Sequence, residues 1–129
     1  MDAKQALAEL VELSSQVRNA VVLGPDDSVL AATSDDPGVG EALGRTALEL
    51  AGAAHELYTG GGEVTRVEVE LEEGALFVVR AGGRTVAATT APQPTAGLVV
   101  YDLRTCLERI DDEPKPKRRR RVSVSKESE

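Results

Sequence analysis

Hydrophobic residues recur along this chain in two patterns, helical spacing and strand-like runs, and their order predicts its elements. Apolar positions at spacings of three and four from Ala3 to Val17 predict an amphipathic helix of about four turns. Two short apolar runs follow, 20–23 and 29–33, separated by Gly24-Pro25-Asp26-Asp27-Ser28. This turn composition between strand-sized runs predicts a hairpin.

The middle of the chain predicts a second helix that is unusually rich in small residues. Asp35 and Asp36 precede Pro37, which favours a helix start there and a helix that continues to about Leu57. The small residues among its apolar positions are Gly40, Ala42, Gly44, Ala51, Gly52 and Ala53. A helical glycine costs about 1 kcal/mol relative to alanine, so we expect either close approach of another backbone or a general bias of composition toward Gly and Ala.

The second half of the chain predicts three strands and a closing helix. Residues 64–71 alternate apolar and acidic positions, which indicates one buried face and one acidic face. The run 75–79 is typical of a central strand, and Gly82-Gly83 predicts a tight hairpin into 84–89. Pro94 precedes a last helical repeat that ends near Ile110. The predicted fold is α+β, with the order α-β-β-α-β-β-β-α.

Composition and charge predict one folded unit and one tail. A length of 129 residues with 41% apolar content suits one domain, 1–110, followed by the segment 111–129. Up to Ile110 the chain has 17 acidic and 8 basic residues, a balance of −9, whereas from Asp111 onward it has 5 and 7, a balance of +2. An acidic body disfavours nucleic-acid binding by the folded domain, so any polyanion contact is expected through the tail.

The single cysteine, Cys106, allows no intramolecular disulfide, and with one histidine it forms no Cys/His zinc site. No cofactor or metal is expected. A cytoplasmic location is expected, because the cysteine content suits a reduced compartment and no apolar run approaches the roughly 20 residues of a membrane span.

The tail combines a dense basic run with nearby serines. We expect it to be disordered and to act, if it acts, through Lys115, Lys117, Arg118, Arg119, Arg120 and Arg121. Arginines three and two positions before Ser123 resemble a site for a basophilic Ser/Thr kinase, and Ser125 is a second candidate. The open alternatives are a solubilising tail or one that binds nucleic acid, an anionic membrane or an acidic partner.

Candidate catalytic residues form no recognisable set in the sequence. His55 stands beside Glu56 without an evident nucleophile, so we expect a partly exposed polar histidine near the C-terminus of a helix. Cys106 falls on the apolar spacing of the last helix and is expected in the core. The clusters Gly60-Gly61-Gly62 and Gly82-Gly83 have no following Gly-Lys-Ser/Thr, so we interpret them as turns. The protein is therefore not expected to be an enzyme.

The chain resembles bacterial single-domain members of the Roadblock/LC7 family over residues 3–110. The resemblance rests on the strand pair with an acidic turn, the Ala/Gly-rich middle helix, the three-strand meander, and Pro94-Thr95-Ala96-Gly97-Leu98-Val99 opening the last helix. It implies a profilin-like, five-stranded antiparallel sheet and a homodimer formed through the middle helix and the first strand of the meander. The residues then expected at the dimer interface are Val39, Leu43, Ala47, Leu50, Ala51, Ala54, Arg66, Glu68 and Glu70.

The sequence itself gives mixed support for such a dimer. An alternating strand at a sheet edge must be paired or charged to avoid aggregation, and pairing with a second copy is one solution. The acidic row would oppose that pairing, since like charges across strands repel, so Arg66 is expected to pair with these carboxylates.

Two functions follow as hypotheses. The resemblance implies a non-catalytic dimeric regulator or scaffold for a small Ras-like GTPase. The alternative is an adaptor or ligand-sensing domain whose basic tail is the interacting segment, controlled by phosphorylation or bound to a polyanion.

Overall fold

A computed structural model describes residues 1–57, 60 and 63–111 of the chain. The elements follow the predicted order. They are α1 (Ala3–Leu13), β1 (Val17–Leu23), β2 (Val29–Ala32), α2 (Pro37–His55), β3 (Arg66–Leu71), β4 (Gly74–Ala81), β5 (Arg84–Thr90) and α3 (Ala96–Glu108). The predicted basic tail and its two candidate phosphorylation sites lie outside the described residues.

The predicted length of the first helix is wrong. The helix ends at Leu13, and Ser14 caps it with an extended backbone while its N–H donates to the carbonyl of Leu10 at 2.8 Å. Val17 is instead the first residue of β1 and is buried there. A buried strand residue three to four positions beyond a helix can imitate one more helical turn, which is why periodicity extended the helix.

All five strands form one antiparallel sheet in the order β2-β1-β5-β4-β3. The strands β3, β4 and β5 make the predicted meander, and β1 and β2 make the predicted hairpin. Gly82 and Gly83 have φ values of 61° and 81°, as a two-residue turn of this kind requires. The predicted five-stranded antiparallel sheet is confirmed, and its two edges are β2 and β3.

The sheet has a helical layer on each face. Helices α1 and α3 cover one face and enclose the larger core, whose centre includes Leu103, Val99 and Val79. Helix α2 lies on the opposite face over a smaller core of Val21, Leu23, Ala47, Val78 and Ala87. Because α2 is one helix on a five-stranded sheet, part of this second face extends beyond it toward β3.

The starts of α1 and α2 are fixed by the acidic residues that precede them, whereas α3 follows Thr95 without a side-chain cap. The Asp2 carboxylate accepts from the Gln5 N–H at 2.8 Å, and the Gln5 side chain accepts from the Asp2 N–H, a complete capping box. The Asp36 carboxylate accepts from the Gly38 N–H at 2.9 Å, with Pro37 at the first helical position. The predicted start of the second helix is confirmed.

Candidate functional site

Helix α2 packs closely on the sheet through a row of small residues. Gly40, Gly44, Ala47 and Ala51 are its buried positions. A Cβ placed on Gly40 would lie 2.9 Å from the Cβ of Ala32, and one on Gly44 would lie 3.1 Å from a methyl group of Leu23. These two glycines therefore serve the contact between α2 and its own sheet.

The structure divides the predicted interface residues of α2 into two groups. Ala47 and Ala51 are 0% and 2% exposed and pack against the chain's own sheet. Val39 is 38% exposed, and three further residues are half-buried, namely Leu43, Leu50 and Ala54. At 100° per residue these four form one apolar stripe beside the buried row, and we call it the α2 flank.

The α2 flank faces along the sheet toward β3. The opposite side of the helix carries Leu48 and Glu49, which line a groove with Val29 at the β2 end of the sheet. The flank must therefore look toward β4 and β3. There Val67 and Leu76 join Leu43 in packing against the smaller core and remain half-buried.

Strand β3 continues this apolar surface to the edge of the sheet. Its partner in the sheet is β4, with Val67 opposite Val78 and Val69 opposite Leu76, so both β3 valines face the α2 side. Val69 is half-buried and Leu71 is 64% exposed. We call the α2 flank together with Val67, Val69 and Leu76 the interface patch. Sequence reasoning missed Leu76, because a continuous apolar run does not show which of its residues a helix leaves uncovered.

The predicted polar interface residues occupy the other face of β3. Arg66, Glu68 and Glu70 lie opposite Val79, Phe77 and Ala75 of β4, which belong to the larger core. The Arg66 Nε lies 3.3 Å from a carboxylate oxygen of Glu68, so the expected pairing of Arg66 with this row occurs within one chain. Both side chains are substantially exposed, at 53% and 38%, so the pair stabilises the monomer by at most about 1 kcal/mol.

The two residues with catalytic potential, Cys106 and His55, belong to helices on opposite faces of the sheet. Cys106 is buried in α3, and burial raises the pKa of its thiol to about 11. His55 is exposed in the last turn of α2. Among the described residues, no group of His, Cys, Asp and Glu is arranged to hold a metal ion, and none of the helices is long and apolar enough to cross a membrane.

Comparisons with known proteins place this architecture among solved structures. No family model matches the chain, and a search of curated proteins found no match. A Roadblock/LC7 domain from Streptomyces avermitilis is 23% identical, with a TM-score of 0.73 over 84% of this chain and 93% of that chain. The gliding protein MglB from Thermus thermophilus is 19% identical, with a TM-score of 0.68 over 82% of this chain and 83% of that chain.

A further structure, described as MglB with a tetrameric arrangement, is also 19% identical, with a TM-score of 0.69 over 82% of each chain. The similarity to each of these structures covers more than four fifths of this chain. The chain has the Roadblock/LC7 fold. The resemblance drawn from its sequence is confirmed.

Proposed function

We propose that this protein is a non-catalytic, homodimeric regulator or scaffold for a small Ras-like GTPase and that it acts in the cytoplasm. The observation that carries the proposal is the interface patch, a half-buried apolar surface that reaches an open sheet edge. Support for the class of partner comes from the family resemblance, and support for self-association comes from the tetrameric arrangement of a similar structure, MglB.

The geometry favours pairing of two β3 strands about a twofold axis. Antiparallel addition of a second β3 would continue the sheet and would bring the two α2 flanks together on one face. The apolar residues Leu43, Leu50 and Val69 would then be removed from water. Contiguous apolar surface that remains accessible in the single chain is typical of a contact with another protein.

Charge selects the register of that pairing. A twofold axis at Val67 would place Arg66 opposite Glu68 of the second copy, twice, by symmetry. An axis at Glu68 would place Arg66 opposite Glu70 of the second copy but would also bring the two Glu68 carboxylates together. We propose the first register, because directly opposed like charges destabilise a strand pair.

The dimer is tested by light scattering on the full chain over a concentration series. We expect a mass of twice 13.6 kDa for the natural chain. Leu50→Arg would place a charge in the paired flanks and should give the monomer mass. The matched control is Gly52→Arg, which adds the same side chain two residues away, where a Cβ meets nothing within 4 Å, and should leave the dimer intact.

A monomer for the natural chain at all concentrations would refute the dimer, and so would a Leu50→Arg dimer as tight as the Gly52→Arg dimer. Circular dichroism of each variant verifies that it is folded.

The GTPase is tested separately, with a purified small Ras-like GTPase loaded with GDP or a GTP analogue. We expect binding to the natural dimer, loss of binding with Leu50→Arg, and retained binding when residues 112–129 are removed. Binding that instead requires those residues would favour the alternative function, in which the tail is the interacting segment.

A further inference from the structure

A second open surface lies at the other edge of the sheet, between α2 and the turn that joins β1 to β2. It is an open groove of about 480 Å³, which we call the β2 groove, and it is lined by Leu23, Asp27, Ser28, Val29, Glu41, Gly44, Arg45, Leu48 and Glu49. It takes no part in the proposed dimer, since β2 and β3 are opposite ends of the sheet.

The β2 groove borders an open strand edge with exposed apolar side chains. In the described part of the chain β2 pairs only with β1, so its outer backbone groups face away from the sheet. Val29 and Leu30 are 43% and 46% exposed. A strand with this edge and these side chains can accept an extended segment by backbone hydrogen bonding.

The charge of the β2 groove favours a basic occupant. Asp27, Glu41 and Glu49 supply three carboxylates, and Arg45 supplies one guanidinium group. All four residues are exposed, so a partner can reach their side chains. Arginines bind such carboxylates through paired hydrogen bonds.

The last described residues bring the basic segment close to this edge of the sheet, on its α1 side. Asp111 and Ile110 line a cavity of about 290 Å³ together with Leu30, the neighbour of Val29 in β2. Asp111 is held there, because its N–H donates to the Met1 carbonyl at 2.9 Å and its own carbonyl accepts from Arg84 at 3.4 Å. The chain therefore leaves the folded body beside the open edge of β2.

The length and composition of the following residues match the β2 groove. Lys117 lies six positions beyond Asp111, a reach of about 20 Å in extended form. Next come four consecutive arginines, 118–121, and then Val122 and Val124, which alternate with Ser123 and Ser125. Such alternation suits a strand that presents arginines to carboxylates and valines to an apolar floor.

We propose that residues 117–124 of the chain bind in extended form along the open edge of β2. The arginines pair with Asp27, Glu41 and Glu49, and Val122 and Val124 cover Leu48 and Val29. A phosphate on Ser123 would bring about −1.5 to −2 charges into this acidic groove and release the segment. The inference stands apart from the proposed GTPase and dimer, since it uses neither β3 nor the interface patch.

The test is hydrogen exchange of backbone amides in the full chain. We compare the natural protein with a variant in which all four arginines 118–121 are replaced by glutamate. In the natural protein we expect exchange in 29–32 that is slower by about fivefold or more than in the variant, because a bound segment must leave before these amides open.

Charge exchange makes the test specific. Reversal of the groove with Asp27→Lys, Glu41→Lys and Glu49→Lys should also speed exchange in 29–32, and combining both sets should restore slow exchange. The control, Glu12→Lys with Glu73→Lys, changes exposed carboxylates outside the β2 groove and the proposed dimer contacts, and it should leave exchange in 29–32 unchanged. Equal exchange in the natural and tail-reversed proteins would overturn the proposal, as would failure of the combined variant, although folded, to recover protection.

Dilution tests whether the segment bound at β2 belongs to the same chain as that β2 strand. Protection of 29–32 that is independent of protein concentration is expected for a segment bound within one chain. Protection that disappears on dilution would overturn it, since the segment would then come from a second copy.

Discussion

Replacement of three α2 glycines by alanine, one at a time, should change stability with different signs. All three substitutions raise the helix propensity of α2, which adds up to about 1 kcal/mol to the free energy of unfolding for each one. At Gly52 a Cβ would meet nothing within 4 Å, so nothing offsets this gain. We expect Gly52→Ala to raise the free energy of unfolding by about 0.5–1 kcal/mol.

Gly40→Ala should do the opposite. The new Cβ would lie 2.9 Å from the Cβ of Ala32, and that atom is fixed to the backbone of β2. Relief requires the helix to move away from the sheet, at a typical overpacking cost of about 1–3 kcal/mol, so a net loss of about 0.5–2 kcal/mol is expected. Gly44→Ala should fall between the two, because its contact at 3.1 Å is with the rotatable end of Leu23.

The measurement is urea denaturation of the full-length variants, followed by circular dichroism at one protein concentration, with thermal melting as a second readout. A difference of 1 kcal/mol corresponds to a melting-temperature shift of about 4–8 °C in a domain of this size. If Gly40→Ala stabilises the protein as much as Gly52→Ala does, close packing of α2 on β2 is not the reason for that glycine, and the reasoning is refuted.

Three further predictions follow from single contacts. Asp36→Ala should cost about 1 kcal/mol in urea denaturation, because α2 loses its N-cap, and Asp36→Asn should retain most of the stability. Gly74→Ala should cost about 3 kcal/mol or more, or prevent folding, since φ is 157° there and a Cβ would overlap the Thr90 carbonyl oxygen; a loss under about 1 kcal/mol would contradict this. Burial raises the pKa of Cys106 to about 11, so unfolding, which releases this proton, should become easier as pH rises from about 9 to about 11, and Cys106→Ala should remove that part of the pH dependence.

The order of the elements could be predicted from the sequence, because helices and strands differ in the spacing of their apolar residues and because turn and capping residues mark their ends. Gly82-Gly83 and Asp36-Pro37 mark a turn and a helix start whose chemistry allows few alternatives. The end of the first helix could not be predicted, since Val17 satisfies both helical spacing and burial in a strand. Local pattern alone does not separate these two states.

The interface patch could be predicted only in part. On α2, Leu43 and Ala47 are four residues apart, a rotation of about 40°. That small angle separates the half-buried α2 flank from Ala47, which is in full contact with the sheet. Apolar spacing alone does not show which side of the helix faces the sheet. Small residues signal close packing, but they do not say whether the neighbour is the chain's own sheet or a second copy.

The two sheet edges have different consequences for assembly. If β3 pairs with β3, the contact is isologous and stops at two chains, whereas pairing of β3 with β2 would be heterologous and could continue into a filament. Binding of residues 117–124 along β2, as proposed above, would exclude the second mode, because the four-residue β2 would already be paired within its own chain. Release of that segment would then open β2 to heterologous pairing, whereas its retention would keep a β3-paired assembly closed at two chains.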